Sequence, residues 1–298
     1  MNRVFNGLST GFRGEMLISS ESVNTLAEKI SSSNEVFCSG LFLSARWFVV
    51  SQLDHDGIQL VVLPDKESAE YCAVDLYNLI EGDCVFFLPD SGKRLEKSNY
   101  KASLGVQRTS AIGKIIDHRE GRLIVVTYPS ALEEGVPAPA SIRESLLKLN
   151  VGDEISHESI VESLFNSGFE RVDFVAEPGQ FAIRGAIVDI FSYSYNDPFR
   201  ISFFGDEIDS INIFDCNTQL SKEKVNCAEI YPDLIASDVE STSTHIVNIL
   251  PEDSLLWLDS SDMYKNMEFF PLLDKFKRVY MELPLSRQDV QTIKFNIT

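Results

Sequence analysis

The sequence predicts an α/β fold in which a parallel-sheet domain is interrupted by an inserted α+β domain with an antiparallel β-meander. Three observations lead to this fold class. Apolar runs typical of strands alternate with helical segments up to about residue 135. Three strand-like stretches then follow one another between residues 168 and 215 without a helix between them, and the alternating pattern returns after about residue 220. We therefore expect a first α/β part at 1–135, an inserted domain at 136–220, and a second α/β part at 221–298.

The first part contains the clearest helix and strand patterns. Residues 20–32 predict an amphipathic helix with Leu26 and Ile30 facing inward. Residues 58–64 form a continuous apolar run, as in strands buried on both faces of a parallel sheet. Helices are predicted at 66–80 and around 104–117, and further strands in VFCSGLFL, CVFFLPD and RLIVVTYPSAL. Two prolines and a glycine within residues 133–139 indicate the boundary with the inserted domain.

The inserted domain begins with predicted helices at 140–148 and 157–167, the second capped by Ser156. The strand-like stretches that follow are separated by Pro178-Gly179 and Asn196-Asp197-Pro198. The middle stretch alternates as a single strand and places Arg184 among small and apolar residues as a lone outward cation. Beyond residue 220 we expect a helix at 261–277 and a last strand in RVYMELP.

Composition limits the classes of function. The net charge is −19, and nucleic-acid affinity depends on Lys and Arg contacts, so we expect poor DNA binding by this chain. No apolar run reaches the roughly 18 residues that a membrane helix needs, and no secretory signal is seen. The five cysteines form no C-x-x-C pair, which favours free thiols in the cytoplasm. Asp54-His55-Asp56 has no partner Cys or His nearby, so we expect neither a metal nor a cofactor.

The meander region also resembles a known family. GQFAIRGAIVDIF followed by PFRISFFGDEIDSINIFD is similar to the inserted domain shared by the excision-repair protein UvrB and the transcription-repair coupling factor (Mfd). The resemblance is dense over residues 168–219. It implies a RecA-like parallel-sheet domain, an adaptor surface that docks the damage sensor UvrA, and a parent translocase through which RNA polymerase and DNA are contacted.

The resemblance also implies which residues bind UvrA, namely Arg184, Arg171, Phe181 and Phe191. Residues 136–215 hold five Lys or Arg and fourteen Asp or Glu, so an isolated Arg184 would stand out as an anchor for a carboxylate. We expect Arg184→Glu to weaken UvrA binding and to leave the fold intact.

A nucleotide site is missing from the sequence. The octet G-x-x-x-x-G-K-[ST], whose glycines let backbone N–H groups cradle phosphate, does not occur. The resemblance places the phosphate loop of UvrB at GLFLSARW in this sequence. Gly40, Ser44, Arg46 and Trp47 form a degenerate loop there. Leu43 and Ala45 replace glycines there. The stretch that stands where UvrB has its DNA-clamping hairpin is short and holds one aromatic residue, Tyr100. Both differences indicate the amino-terminal UvrB-like region of the coupling factor and a chain without enzymatic activity.

Two other functions remain open. The chain could be an ATP-dependent DNA helicase or an excision-nuclease subunit of the UvrB type, which would need a phosphate loop and a basic DNA track. It could instead be an autoinhibitory structural module of the parent translocase, with no partner outside that protein.

Overall fold

A computed structural model describes residues 20–41, 44–92, 99–195, 197–234, 243–282 and 292–295. The first part contains helices α1 (Ser20–Ser32), α2 (Ala45–Gln52), α3 (Lys66–Leu79), α4 (Asn99–Asp117) and α5 (Pro129–Glu133). Its strands are β1 (Glu35–Ser39), β2 (Gly57–Val62), β3 (Val85–Phe87), β4 (Arg122–Thr127) and β5 (Gly135–Pro137). The last part adds β14 (Ser243–His245), β15 (Leu255–Leu258), α8 (Ser261–Tyr264), β16 (Lys277–Tyr280) and β17 (Thr292–Lys294).

Seven of these strands form one parallel sheet in the order β17-β1-β16-β15-β2-β4-β3. Both faces of the sheet are covered, because successive β2 residues enter two different cores. Ile58 and Leu60 pack on one face, whereas Val61 packs on the other. All six residues of β2 are buried, as the continuous apolar run predicts. Strands from before and after the insertion thus share one sheet.

The inserted domain is built on a six-stranded sheet in the order β12-β11-β10-β9-β8-β7. The pairs are antiparallel except for β7 with β8. Its elements are α6 (Pro139–Ser145), β6 (Leu147–Asn150), α7 (His157–Asn166), β7 (Glu170–Arg171), β8 (Gln180–Arg184), β9 (Ile187–Ile190), β10 (Phe199–Phe204), β11 (Glu207–Phe214), β12 (Ser221–Val225) and β13 (Cys227–Ile230). The predicted fold class is confirmed: a parallel-sheet domain is interrupted by a domain with a separate antiparallel-rich sheet.

Helix α7 packs on one face of the inserted sheet, which we call the inner face. Ile160 and Leu164 of the helix join Phe181, Val188 and Ile190 in one apolar cluster. The Ser156 side chain accepts a hydrogen bond from the backbone N–H of Ser159, so the predicted cap is confirmed.

The sequence predicts a single middle strand at 180–190, and this prediction is wrong. The stretch is a tight hairpin, in which β8 and β9 pair with each other across Gly185 and Ala186. Gly185 has a φ of +61°, a conformation that glycine adopts without steric cost, and this allows the turn. Arg184 and Asp189 consequently lie on the same side of two adjacent strands.

Two chain crossings connect the domains. Strand β5 pairs with β14, and β6 pairs with β13, so the entering and leaving segments run side by side. Val136 and Ile142 pack in the core of the parallel sheet, while Ala228 and Ile230 pack in that of the inserted sheet. The limits at 136 and 220 stay predictions, and this packing leads us to propose limits near 147 and 230 instead.

The last part differs from its predicted pattern. Residues 221–230 form β12 and β13 with the inserted domain, whereas the sequence predicted the α/β pattern from residue 221. The helix predicted at 261–277 is wrong, because α8 ends at Tyr264 and a 3₁₀ helix covers Phe270–Lys275. Pro271 has no backbone N–H to donate, which opposes a continuous helix. A further 3₁₀ helix, Ile246–Ile249, follows β14. Within the ranges given above, no helix is long and apolar enough to cross a membrane.

Candidate functional site

The sheet face turned away from α7 carries the predicted binding residue Arg184. We call it the outer face and define it by Ala182, Arg184, Asp189, Phe191 and Arg200, which strand register and packing place together. The lone-cation interpretation is corrected, because Arg184 donates from Nη2 to Oδ2 of Asp189. Asp189 is 1 % exposed, whereas the Arg184 side chain is 36 % exposed. Arg184 therefore lies at the rim of a buried ion cluster and still has a face in solvent.

Asp189 is shared with a second arginine. Arg200 donates from Nε to Oδ1 of Asp189 at 2.8 Å and from Nη2 to Oδ2 at 3.0 Å. Its guanidinium also donates to the side-chain and backbone oxygens of Gln219 at 3.0 and 3.2 Å and lies 4.1 Å from the ring centroid of Phe214. Arg200 thus neutralises Asp189 through a bidentate pair whether or not Arg184 stays in contact.

Phe174 covers the exposed side of Arg184. The Arg184 guanidinium carbon lies 5.1 Å from the centroid of the Phe174 ring, within range of a cation–π contact. Phe174 is itself 62 % exposed. The sequence did not indicate this residue, because it lies in the loop before Pro178-Gly179, outside the quoted motif that begins at Gly179. Its closeness to Arg171 in the chain was the available signal.

The other predicted binding residues lie in three different environments. Arg171 is exposed on the edge strand β7 and pairs in register with Phe181 of β8. Phe181 is fully buried on the inner face, edge-to-face with Phe165 at 5.2 Å. Phe191 is 5 % exposed and packs in a small cluster beneath the outer face. The structure therefore presents the two arginines to solvent and does not bring the two phenylalanines to the surface with them.

The degenerate loop lies between β1 and α2. Gly40 has a φ of +81°, and a Cβ there would collide with the backbone oxygen of Phe295, so close chain approach requires this glycine. Leu43 lies outside the described residues. Ser44 is exposed, and its Oγ donates to Oδ2 of Asp75 at 2.9 Å. Ser44 thus binds a carboxylate of a neighbouring helix.

Arg46 and Trp47 of the predicted degenerate loop are both engaged within the fold. Arg46 Nη1 lies 2.5 Å from Oδ1 of Asp259 and 3.4 Å from Oε1 of Glu282, and its guanidinium carbon lies 5.0 Å from the Trp47 ring centroid. Trp47 is 6 % exposed in the second core. Burial raises the pKa of Asp259, and Arg46 opposes that rise. Two carboxylates thus face one guanidinium, which leaves a net negative charge at this loop.

Two further sequence predictions concern the place of the DNA-clamping hairpin and a metal site. Residues 93–98 and the Tyr100 side chain, in the stretch at the place of the DNA-clamping hairpin, lie outside the described residues. Among the residues that are described, no group of three or more His, Cys, Asp or Glu could hold a metal ion. Asp56 has a structural contact, since its Oδ1 accepts the backbone N–H of Gly121 at 2.7 Å.

Comparison with known proteins gives the inserted domain a family. Residues 147–234 match the model of the UvrB interaction domain. The chain is 30 % identical to a transcription-repair-coupling factor of Mycobacterium bovis over 74 % of its own length and 19 % of that protein. It is 26 % identical to one of Staphylococcus aureus over 91 % of its length and 22 % of that protein.

A UvrABC system protein B of Methanococcus maripaludis is 27 % identical over 60 % of the chain and 28 % of that protein. The chain therefore spans about a fifth of the length of the coupling factors it matches. Matched residues, fold and insertion agree: the chain is a UvrB-like region of the transcription-repair-coupling factor type that carries a UvrB interaction domain.

Proposed function

We propose that this chain is a non-catalytic adaptor that recruits UvrA to a transcription-coupled repair factor through the outer face of its inserted sheet. The observation that carries the proposal is the exposed pair of Arg184 and Phe174, on a domain that matches the UvrB interaction domain. Arginines and aromatic residues dominate binding energy at protein interfaces. Arg171 is exposed on the edge strand of the same sheet, but its register with Phe181 turns it toward the inner face, so we place it at the edge of the proposed surface.

The ion cluster supports a binding role for Arg184 in particular. A carboxylate of the partner can draw Arg184 away from Asp189 without leaving a buried, uncompensated charge, because Arg200 keeps both Asp189 oxygens paired. Phe174 offers an apolar surface beside that contact. We include Arg184 and Phe174 in the proposed site and Arg171 at its edge, and we assign Phe181 and Phe191 to packing within the domain.

The proposal also covers what the chain does not do. The side chains of Arg46 and Trp47, with the carboxylates of Asp259 and Glu282, oppose nucleotide binding between β1 and α2. We therefore place ATP hydrolysis, and contact with RNA polymerase and DNA, in other parts of the parent protein. A cytoplasmic location remains part of the proposal, and five free cysteines are consistent with it.

Titration of the chain with purified UvrA tests the adaptor function. We expect saturable binding that Phe174→Ala weakens strongly and that Arg171→Ala, at the edge of the surface, weakens less. Phe165→Ala is the matched control, since Phe165 is 53 % exposed in the same domain but lies on helix α7, which packs on the inner face, opposite the proposed surface. Absence of UvrA binding by the unmodified, folded chain would contradict the adaptor function and favour the autoinhibitory module. Saturable ATP binding would instead favour the UvrB-type enzyme.

A further inference from the structure

Helix α3 carries an apolar ridge that points away from the parallel sheet. Tyr71, Val74 and Tyr77 are 66 %, 59 % and 57 % exposed, although Ala69, Cys72 and Leu76 of the same helix are buried in the second core. The spacing of three residues places the exposed side chains along one face of the helix. Single exposed apolar residues are ordinary, but a contiguous row of them marks an interaction surface.

Hydrogen bonds within the chain fix the helix that carries the ridge. Asp65 caps the helix by accepting the backbone N–H of Ser68 at 2.8 Å. Asp75 accepts the Ser44 hydroxyl at 2.9 Å, which joins α3 to the segment before α2. A shallow concavity lies along the first half of the ridge, lined by Lys66, Glu67, Glu70, Tyr71 and Val74. Docking there would order few additional groups, and this lowers the entropic cost of binding.

The surroundings of the ridge are strongly acidic. Residues 65–83 contain six Asp or Glu and one Lys. Asp65 and Asp75 are used within the fold, and the remaining four acidic residues are exposed around the ridge: Glu67, Glu70, Glu81 and Asp83. Lys66 lies 4.0 Å from Glu70, at the first turn of the helix. The ridge thus combines two exposed phenol rings with a negative field.

That charge selects among possible occupants. A second copy of this chain would bring its own charge of −19 to a negative surface. Nucleic acids and anionic lipid surfaces carry negative charge as well, and both are held mainly by Lys and Arg. A basic protein surface is the occupant that both the charge and the aromatic rings favour, because Lys and Arg bind carboxylates and stack on tyrosine rings.

We propose that the α3 ridge is a docking site for a basic, amphipathic segment of a protein, separate from the outer face of the inserted sheet. Aliphatic side chains of the partner pack on Val74, its cations stack on Tyr71 and Tyr77, and its remaining charges pair with the surrounding carboxylates. The site lies on the parallel-sheet domain and does not depend on the adaptor function.

A defined peptide probe tests the ridge. The probe is a fluorescein-labelled 18-residue helical peptide of Leu and Arg, with Leu at positions i, i+3, i+4 and i+7. Its control replaces every Arg by Glu. Fluorescence anisotropy with the full chain at about 150 mM salt, where long-range attraction between exposed charges is largely screened, should show saturable binding of the Arg peptide only.

Variants locate the binding. The double change Tyr71→Ser and Tyr77→Ser should weaken it about tenfold, the loss expected for two exposed cation–π contacts with their packing. The matched control is Phe165→Ser with Phe204→Ser, which removes two exposed aromatic rings, 53 % and 82 % exposed, from the inserted domain. It should change the affinity less than twofold. Circular dichroism confirms that each variant is folded.

Three results would overturn the proposal. Equal losses in the two double variants would show attraction to overall charge without a site on α3. Binding of the Glu peptide, or of anionic phosphatidylserine vesicles, through Tyr71 and Tyr77 would assign the ridge to another occupant. Self-association that Tyr71→Ser and Tyr77→Ser abolish would assign it to a second copy.

Discussion

Replacing Arg184 by alanine is expected to separate partner binding from folding. The variant removes the guanidinium that is 36 % exposed and leaves Asp189 in its bidentate pair with Arg200. An ion pair with one partly exposed partner contributes about 1 kcal/mol or less. The variant should therefore unfold in urea with a free energy within about 1 kcal/mol of the unmodified chain, since no buried charge is left unpaired.

The same change should affect UvrA binding much more. An interface residue of the kind proposed here contributes at least about 2 kcal/mol, which corresponds to roughly thirtyfold in affinity. The ratio of the two effects is the informative quantity, because a residue that only supports the fold would lower stability and affinity together. Isothermal titration calorimetry with UvrA measures the affinity of each variant, and urea unfolding of the same samples measures its stability.

Arg184→Glu serves as the comparison, and the structure changes its expected outcome. The sequence analysis expected a folded variant, but a new carboxylate would lie beside Asp189, which is 1 % exposed. Two carboxylates about 4 Å apart repel by about 4 kcal/mol at an effective dielectric constant of 20. Because the new side chain can turn toward solvent, we expect a net loss of about 2 kcal/mol in unfolding free energy relative to Arg184→Ala.

Two results would refute this reasoning. Unchanged UvrA affinity in a normally stable Arg184→Ala variant would remove the residue from the binding site. Equal stability of Arg184→Ala and Arg184→Glu would show that the side chain does not pair with Asp189 in solution.

Five other outcomes are expected. Calorimetry with ATP and Mg²⁺ should show no micromolar site, because Arg46 is paired with Asp259 and Trp47 is buried at the proposed loop; a saturable isotherm would contradict this. Arg46→Met should lower the unfolding free energy at pH 7 by about 2 kcal/mol by leaving Asp259 buried and unpaired. Since burial raises the pKa of Asp259 in the folded state above its ordinary value of 3.8, the unfolding free energy of that variant should fall as pH rises above about 4, and a flat profile in guanidinium unfolding would refute this. Ser156→Ala should cost about 1 kcal/mol in urea unfolding through loss of the cap on Ser159, and an unchanged midpoint would exclude it. Duplex DNA should give no mobility shift at about 150 mM salt, given the charge of −19, and a clear shift would disprove this.

Local patterns predicted much of the fold. Helix α3 and strand β2 follow from their periodicity, and the cap at Ser156 follows from the preference of serine for that position. The hairpin at Gly185 was missed because alternation continues through residues 180–190, so only the pairing of β8 with β9 reveals the turn. Contacts between residues distant in the chain, such as Arg46 with Asp259, leave no local pattern.

The candidate site could be predicted from the sequence only in part, for the same reason. Arg184 could be chosen from its motif, but its partner Asp189 was placed on the other side of the assumed single strand, and the hairpin reverses that geometry. Phe181 was carried over by position from the resemblance, although alternation within β8 already places its side chain on the opposite face from Arg184. The deciding quantity is burial in the folded chain, and a motif carries no information about it.

The paired crossings between the two domains have a mechanical consequence. A domain joined by a single linker can swivel about it, whereas this one is held by β5 with β14 and by β6 with β13. Tyr231 connects the two domains beside these strand pairs. Its hydroxyl donates to Asp117 of α4, and its backbone N–H donates to the Ser192 hydroxyl at 2.9 Å. Two paired connections oppose rotation of one domain against the other more than a single linker would, so we expect a protein bound to the inserted sheet to keep its orientation relative to the parallel sheet.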